Sequence, residues 1–141
     1  MKLQKSDICL GLSLRKADRV VSQLYNEYMA PLGIRITQFS VLRSLHFTGT
    51  TTASEIQKIL TMEQTTVSRA LKPLIRDGYI AVAEGASKRE KALSLTKAGE
   101  TLYQSALEPW NKVQELLRSR LGQGQDDALI ALSQQIVAIK R

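Results

Sequence analysis

The residues best suited to specific chemistry lie in the stretch Gln64-Thr65-Thr66-Val67-Ser68-Arg69-Ala70-Leu71-Lys72-Pro73-Leu74-Ile75-Arg76. At a helical period, Val67, Leu71, Leu74 and Ile75 share one face. Thr65, Ser68, Arg69, Lys72 and Arg76 occupy the opposite one, with Gln64 and Thr66 at its leading turn. Short polar groups come first and cations follow. Gln, Ser, Thr and Arg can meet the donors and acceptors on base edges of a DNA major groove, while Lys and Arg grip phosphates. A second basic group, Lys88, Arg89 and Lys91, follows a turn-like Glu84-Gly85-Ala86-Ser87. Between 64 and 97 there are seven basic and three acidic residues, so this stretch supplies +4 of the chain's net +7. Read separately, the first group is also what a solvated bundle helix shows, and the second what a charged strand edge shows. Their order and spacing together favour nucleic acid.

Other reactive side chains are few. Cys9 is the single cysteine and His46 the single histidine among 141 residues. A thiol in a first helical turn is a candidate redox switch, although a small apolar core residue is the commoner role. One histidine and one cysteine build no metal site and no nucleophile–base pair, and no glycine-rich phosphate loop is present. The expectation is therefore no enzyme, no cofactor and no metal. Tyr103 and Trp110 are candidates for lining a ligand pocket or, equally, for the core. Arg15, Lys16 and Arg19 read as a solvated face that can also receive an acidic ligand.

These groups need elements to hold them. Residues 8–30 carry Leu10, Leu14, Ala17, Val21, Leu24 and Tyr28 in a helical stripe, ended by Ala30-Pro31-Leu32-Gly33. Thr37 is placed to cap a second helix to about His46. Thr52-Ala53-Ser54-Glu55 has the form of a capping box, as does Thr61-Met62-Glu63-Gln64 nine residues on. The next helix starts at this second box or equally at Glu63, runs to about Arg76 and stops at Gly78, with a bend expected at Pro73. Tyr79–Ala83 and Lys91–Leu95 alternate as a two-stranded hairpin with a basic tip. Thr96 caps a long helix whose stripe is Tyr103, Leu107, Trp110, Leu117 and Leu121, with a bend expected at Pro109. After Gly122 and Gly124 a last helix carries Leu129, Leu132, Ile136 and Ile139.

The fold expected is mainly α with a small β-hairpin wing: a winged helix-turn-helix with long N- and C-terminal dimerisation helices. Residues 37–96 form the DNA-binding region, and 1–36 with 97–141 form the dimerisation helices. The composition agrees: the chain is one domain in length, 43% hydrophobic, and without an apolar run long enough for a membrane span. The basic start is a poor signal peptide, and one cysteine suits a reducing compartment, so a cytoplasmic address is expected. A winged module that docks on protein is the alternative, but such a module has no need of a basic helix and wing.

Four runs together resemble the MarR family of bacterial transcriptional regulators: Ile36-Thr37-Gln38-Phe39-Ser40-Val41-Leu42, Thr66-Val67-Ser68-Arg69-Ala70-Leu71-Lys72-Pro73-Leu74, Gly78-Tyr79-Ile80 and Leu93-Ser94-Leu95-Thr96-Lys97-Ala98-Gly99. The resemblance spans nearly the whole chain. It implies a homodimer, a recognition helix in successive major grooves of double-stranded promoter DNA, and a wing near the minor groove. It also implies a repressor released by small phenolic or lipophilic ligands or by cysteine oxidation. The DNA-binding residues it implies are Gln64, Thr65, Thr66, Ser68, Arg69, Lys72, Lys88, Arg89 and Lys91. Two positions depart from the family pattern. Ser87 stands where an acidic residue usually orients the wing arginine, here Arg89, leaving Glu84 or Glu90 as substitutes. Gln64 stands where many relatives have arginine.

Overall fold

A computed structural model describes residues 2–85 and 89–141. Its elements run α1 (Leu10–Met29), α2 (Ile36–Thr48), α3 (Ala53–Leu60), α4 (Gln64–Arg76), β1 (Ile80–Glu84), β2 (Lys91–Leu95), α5 (Lys97–Arg120) and α6 (Gln125–Val137). Short 3-10 turns precede and follow α1. The expected order of helices around one hairpin is thus present.

Burial of α2 organises the rest. Phe39, Val41, Leu42 and Leu45 are buried in the central core. Around them close Tyr25 and Met29 of α1, Ile56 of α3, Val67 and Leu74 of α4, Leu93 of β2, and Tyr103 and Val113 of α5. The start of α2 is fixed by two side chains. Asn26 Oδ1 accepts from the Ile36 amide at 2.8 Å, and Gln38 Oε1 accepts from the Arg35 amide at 3.0 Å. Arg35, not Thr37, is therefore the cap residue. The amide partners come from a side chain one helix away and from a glutamine inside the first turn. The sequence cue of a threonine hydroxyl pointed to neither.

The hairpin pairs Ile80 with Leu95, Ala81 with Ser94, Val82 with Leu93, Ala83 with Ala92 and Glu84 with Lys91. Its inner end is stitched to the loop before α3, where Thr51 and Leu93 exchange backbone bonds at 3.0 and 2.7 Å. Its root meets the end of α4. There Gly78, at φ +82°, lets the Tyr79 amide reach back to the Leu74 carbonyl and the Gly78 amide to Ile75, a Schellman ending.

Three stripes reach the core in part or not at all. On α1, Val21 and Leu24 of the stripe pack against the core beside the buried Tyr25 and Met29, while Leu10 is 85% exposed and Tyr28 is also exposed. On α5, Leu107, Trp110 and Leu117 of the stripe lie half-buried against the core with the buried Tyr103, Leu102, Ala106 and Val113, and Leu121 is exposed. Leu129, Leu132, Ile136 and Ile139 of the α6 segment are all exposed. A periodic stripe records which residues share a face. It does not record whether the covering surface lies in the same chain. Ile75, expected inward, is 37% exposed because Ala70 takes the inner position beside Val67, Leu71 and Leu74.

The turn into α5 is tightly specified. The Thr96 hydroxyl donates to the Gly78 carbonyl at 2.6 Å and accepts from the Gly99 amide at 3.0 Å, and the Thr96 amide donates to the Tyr79 carbonyl at 3.1 Å. A Cβ at Gly99 would lie 2.0 Å from that Tyr79 carbonyl oxygen, a backbone atom. Gly99→Ala is expected to destabilise the chain by about 1–3 kcal/mol through overpacking. Urea denaturation measures this, and an unchanged midpoint would refute the close approach.

Candidate nucleic-acid interface

The recognition surface rests on how α3 and α4 meet. The Thr52 hydroxyl accepts from the Glu55 amide at 3.2 Å, the first half of the expected box. The Glu55 carboxylate lies 3.5 Å from Lys58 Nζ. Thr61 is not the cap of α4, the first of the two starts that the sequence allows. It ends α3 in the left-handed region (φ 52°, ψ 51°), with the Met62 amide bonded to the Gln57 carbonyl at 3.0 Å. Glu63 precedes α4 without a side-chain cap bond. With so few residues between the helices, the one that reverses the chain cannot also cap the next helix. A non-glycine residue in that conformation costs about 1–2 kcal/mol, so packing of Ile56 against α4 must hold the turn.

With α4 anchored through Val67, Ala70, Leu71 and Leu74, every candidate reading residue stands in solvent: Gln64, Thr65, Thr66, Ser68, Arg69 and Lys72 are all exposed. The face is a continuous polar surface at its leading turn and cationic further on. The cations are not equivalent. Arg76 is held by Asp77 through two bonds, Nε to Oδ1 at 2.9 Å and an Nη to Oδ2 at 3.2 Å. That hydrogen bond holds the Asp77 carboxyl below its ordinary range and pushes the Arg76 guanidinium up. Arg69 and Lys72 have no ion pair among the described residues, so their charges are open to a partner.

The wing shows the same division. Lys91 is matched by Glu84 at 2.9 Å, the cross-strand pair at the outer end of the hairpin. Arg89 is exposed, and Glu90 accepts from the Ser54 hydroxyl of α3 at 3.2 Å. The carboxylates considered as substitutes for the missing acidic residue are thus engaged with Lys91 and Ser54. Lys88 and Ser87 lie outside the described residues.

The remaining candidates fall elsewhere. Tyr103 is 2% exposed and stacks on Phe39 at 5.6 Å, with Trp110 on the same ring at 5.9 Å. Tyr103 belongs to the core cluster, and Trp110 is half-buried against it. Sequence reasoning missed Arg43 between them. Its guanidinium donates to the Tyr103 hydroxyl at 2.8 Å and lies 4.8 Å over Trp110 and 5.0 Å over Phe47. It also lines a cavity of about 280 Å³ with Ser40, Ser44, Phe47, Ile59 and Leu60. The available signal was one cation amid the apolar residues of α2. His46 ties α2 to α5 through Glu100 at 2.7 Å and lies against the Tyr103 ring. Cys9 is exposed and caps α1 itself, its sulfur accepting from the Leu12 amide at 3.3 Å. It lies one residue before the helix rather than in its first turn. No group of three or more metal-binding side chains gathers among the described residues.

Comparison with known proteins agrees with this geometry. The model of the MarR family matches residues 34–90, from just before α2 to just before β2. An uncharacterised HTH-type transcriptional regulator, YwoH of Bacillus subtilis, is 35% identical over 64% of this chain and 66% of its own length. The multiple antibiotic resistance protein MarR of Salmonella typhimurium is 31% identical over 67% of each chain. The chain thus spans about two thirds of the length of these curated relatives. Among solved structures, the M. tuberculosis regulator MosR in complex with DNA superposes with a TM-score of 0.76 at 29% identity, covering 94% of this chain and all of that one. These relatives are regulators rather than enzymes, and the chain belongs to the MarR family of transcriptional regulators, whose winged helix-turn-helix it carries.

Proposed function

We propose that the chain represses transcription in the cytoplasm by binding a pseudo-palindromic promoter site as a homodimer. Each protomer sets α4 in a major groove, with its wing along the neighbouring backbone or minor groove. The observation that carries this reading is the face of α4. Its inner residues are locked in the core, and its outer residues form an exposed polar and cationic surface with Arg69 and Lys72 uncompensated by acid among the described residues. Among the described residues no helix is long and apolar enough to cross a membrane.

Residues 37–96 read the DNA in this proposal, and the helices of 1–36 and 97–141 hold two copies together. The exposed apolar side chains of α1 and α6 support that division. Leu10, Leu14, Leu132 and Ile136 lie outside the core of their own protomer, and large apolar patches mark surfaces that meet protein. Release by a small phenolic or lipophilic ligand fits Arg43, whose cation and aromatic neighbours suit an anionic ring. Release by oxidation rests on Cys9, an exposed thiol.

Selection of genomic fragments by the purified protein, followed by footprinting, should return paired half-sites about 34–36 Å apart. Binding that ignores sequence at moderate salt would overturn the proposal. Within the face, the double change Gln64→Ala with Ser68→Ala should narrow the ratio of specific to non-specific affinity by about tenfold or more. Lys72→Ala should weaken both kinds of binding alike and flatten their salt dependence. Identical effects of the two variants would refute this division of roles. The dimer is tested separately: Leu132→Glu with Ile136→Glu should sediment as a monomer and lose high-affinity binding, whereas an unaltered dimer would exclude α6 from the interface.

A further inference from the structure

Beside the reading face, a cationic cleft joins α4 to residues that lie outside the recognition motif. A cavity of about 360 Å³ opens between the start of α2 and the side of α4, lined by Arg35, Thr37, Gln38, Thr66, Arg69, Ala70 and Pro73. One wall is formed by Arg35 and Thr37, the other by Arg69 and Thr66. No acidic residue is among those lining residues, and neither arginine has an ion pair among the described residues. Two guanidinium groups on one cleft repel each other in the free protein unless an anion lies between them.

We infer that this cleft holds a backbone phosphodiester of the DNA, with Arg35 and Thr37 as contact residues outside the helix-turn-helix itself. The inference rests on the DNA-binding reading above and adds a site to it. A planar guanidinium offers paired donors that match two phosphate oxygens, and threonine hydroxyls complete such a site. The placement selects the source of the phosphate. Thr66 and Arg69 belong to α4, so a backbone that flanks the groove filled by α4 passes the mouth of the cleft.

The backbone of Arg35 is already fixed, which keeps its cost of ordering low. Its amide donates to Gln38 Oε1 at 3.0 Å, and the next amide donates to Asn26 Oδ1 at 2.8 Å. Only the exposed side chain remains to be ordered when DNA arrives. A contact made in this way reads no sequence. It grips every DNA equally and sets the angle at which α4 enters the groove.

The test uses the full-length protein with a selected genomic fragment and with an unrelated duplex of equal length. Arg35→Ala should weaken both by a similar factor, about five- to tenfold near 0.1 M salt, and should lower the slope of log K against log salt by about 0.9 per phosphate lost. Arg35→Lys should restore much of the affinity. Arg35 is exposed and lies outside the core, so circular dichroism and sedimentation should match the parent and exclude misfolding. Titration with inorganic phosphate alone at constant ionic strength should show only weak binding. An Arg35→Ala protein that keeps both affinities and the parent salt slope would overturn the inference while leaving the DNA-binding reading intact. A parent protein that binds neither duplex would overturn that reading instead. Tight binding of free phosphate that DNA does not displace would make the cleft a separate anion site and also overturn the inference.

Discussion

One hydroxyl holds the interface in register. Thr96 Oγ1 donates to the carbonyl of Gly78, where α4 has just ended, and accepts from the amide of Gly99, where α5 has just begun. The Thr96 amide bonds Tyr79, the residue that opens the wing. The end of the recognition helix, both strands of the hairpin and the start of the long helix therefore meet in one knot of backbone. A wing attached only through its own two strands would be marginal in water. Here it is fixed at this root and stitched to Thr51 on its inner side. Gly99 is required at this point because a side chain there would meet the Tyr79 carbonyl.

The same economy governs charge. A basic protein could leave all its cations open, at the cost of mutual repulsion and indiscriminate binding. Here Asp77 matches Arg76 and Glu84 matches Lys91, each at an edge of the surface. Arg69 and Lys72 remain open at its centre, and Arg35 lies beside them across the cleft. Exposed pairs contribute little to stability, so the value of the two at the edge lies in where they leave positive potential. The potential concentrates on the part of α4 proposed to enter the groove. Solvent-exposed pairs can also exchange partners when phosphate approaches.

The order of elements was legible because each one follows a local rule. A period of 3.6 or 2 showed helix or strand, and Gly78, Thr52 and Thr96 ended or opened elements as their chemistry requires. What was not legible needed contacts between distant residues. Asn26 caps α2 from α1, and Thr61 ends α3 instead of starting α4. Tyr103 and Trp110 were recognised as aromatic without a way to decide between pocket and core. Their partner Phe39 lies more than 60 residues away, and only the folded chain shows the three rings stacked together. Arg43 was invisible for the same reason. The exposed face of α4 could be read because its function depends on residues spaced along one helix. The cleft that Arg35 shares with Arg69 could not, because its two walls are 34 positions apart in the chain.

The division of the chain proposed above has a mechanical consequence. The region proposed to bind DNA hangs from α2, whose inner surface packs against α5 through Phe39, Tyr103 and Trp110 and through the bond of His46 to Glu100. Arg43 sits at this junction, holding the Tyr103 hydroxyl and lying over two rings, without an acidic partner among the described residues. Any group that drew the guanidinium away would loosen the contact that sets α2 against α5. In the proposed dimer both α4 helices must span a fixed distance on the DNA, and a small rotation at this junction moves both at once. Packed interfaces tend to switch between discrete arrangements rather than deform gradually. The α2–α5 junction is therefore where a small ligand of the proposed kind would gain leverage over DNA affinity, although it includes none of the residues proposed to face the DNA.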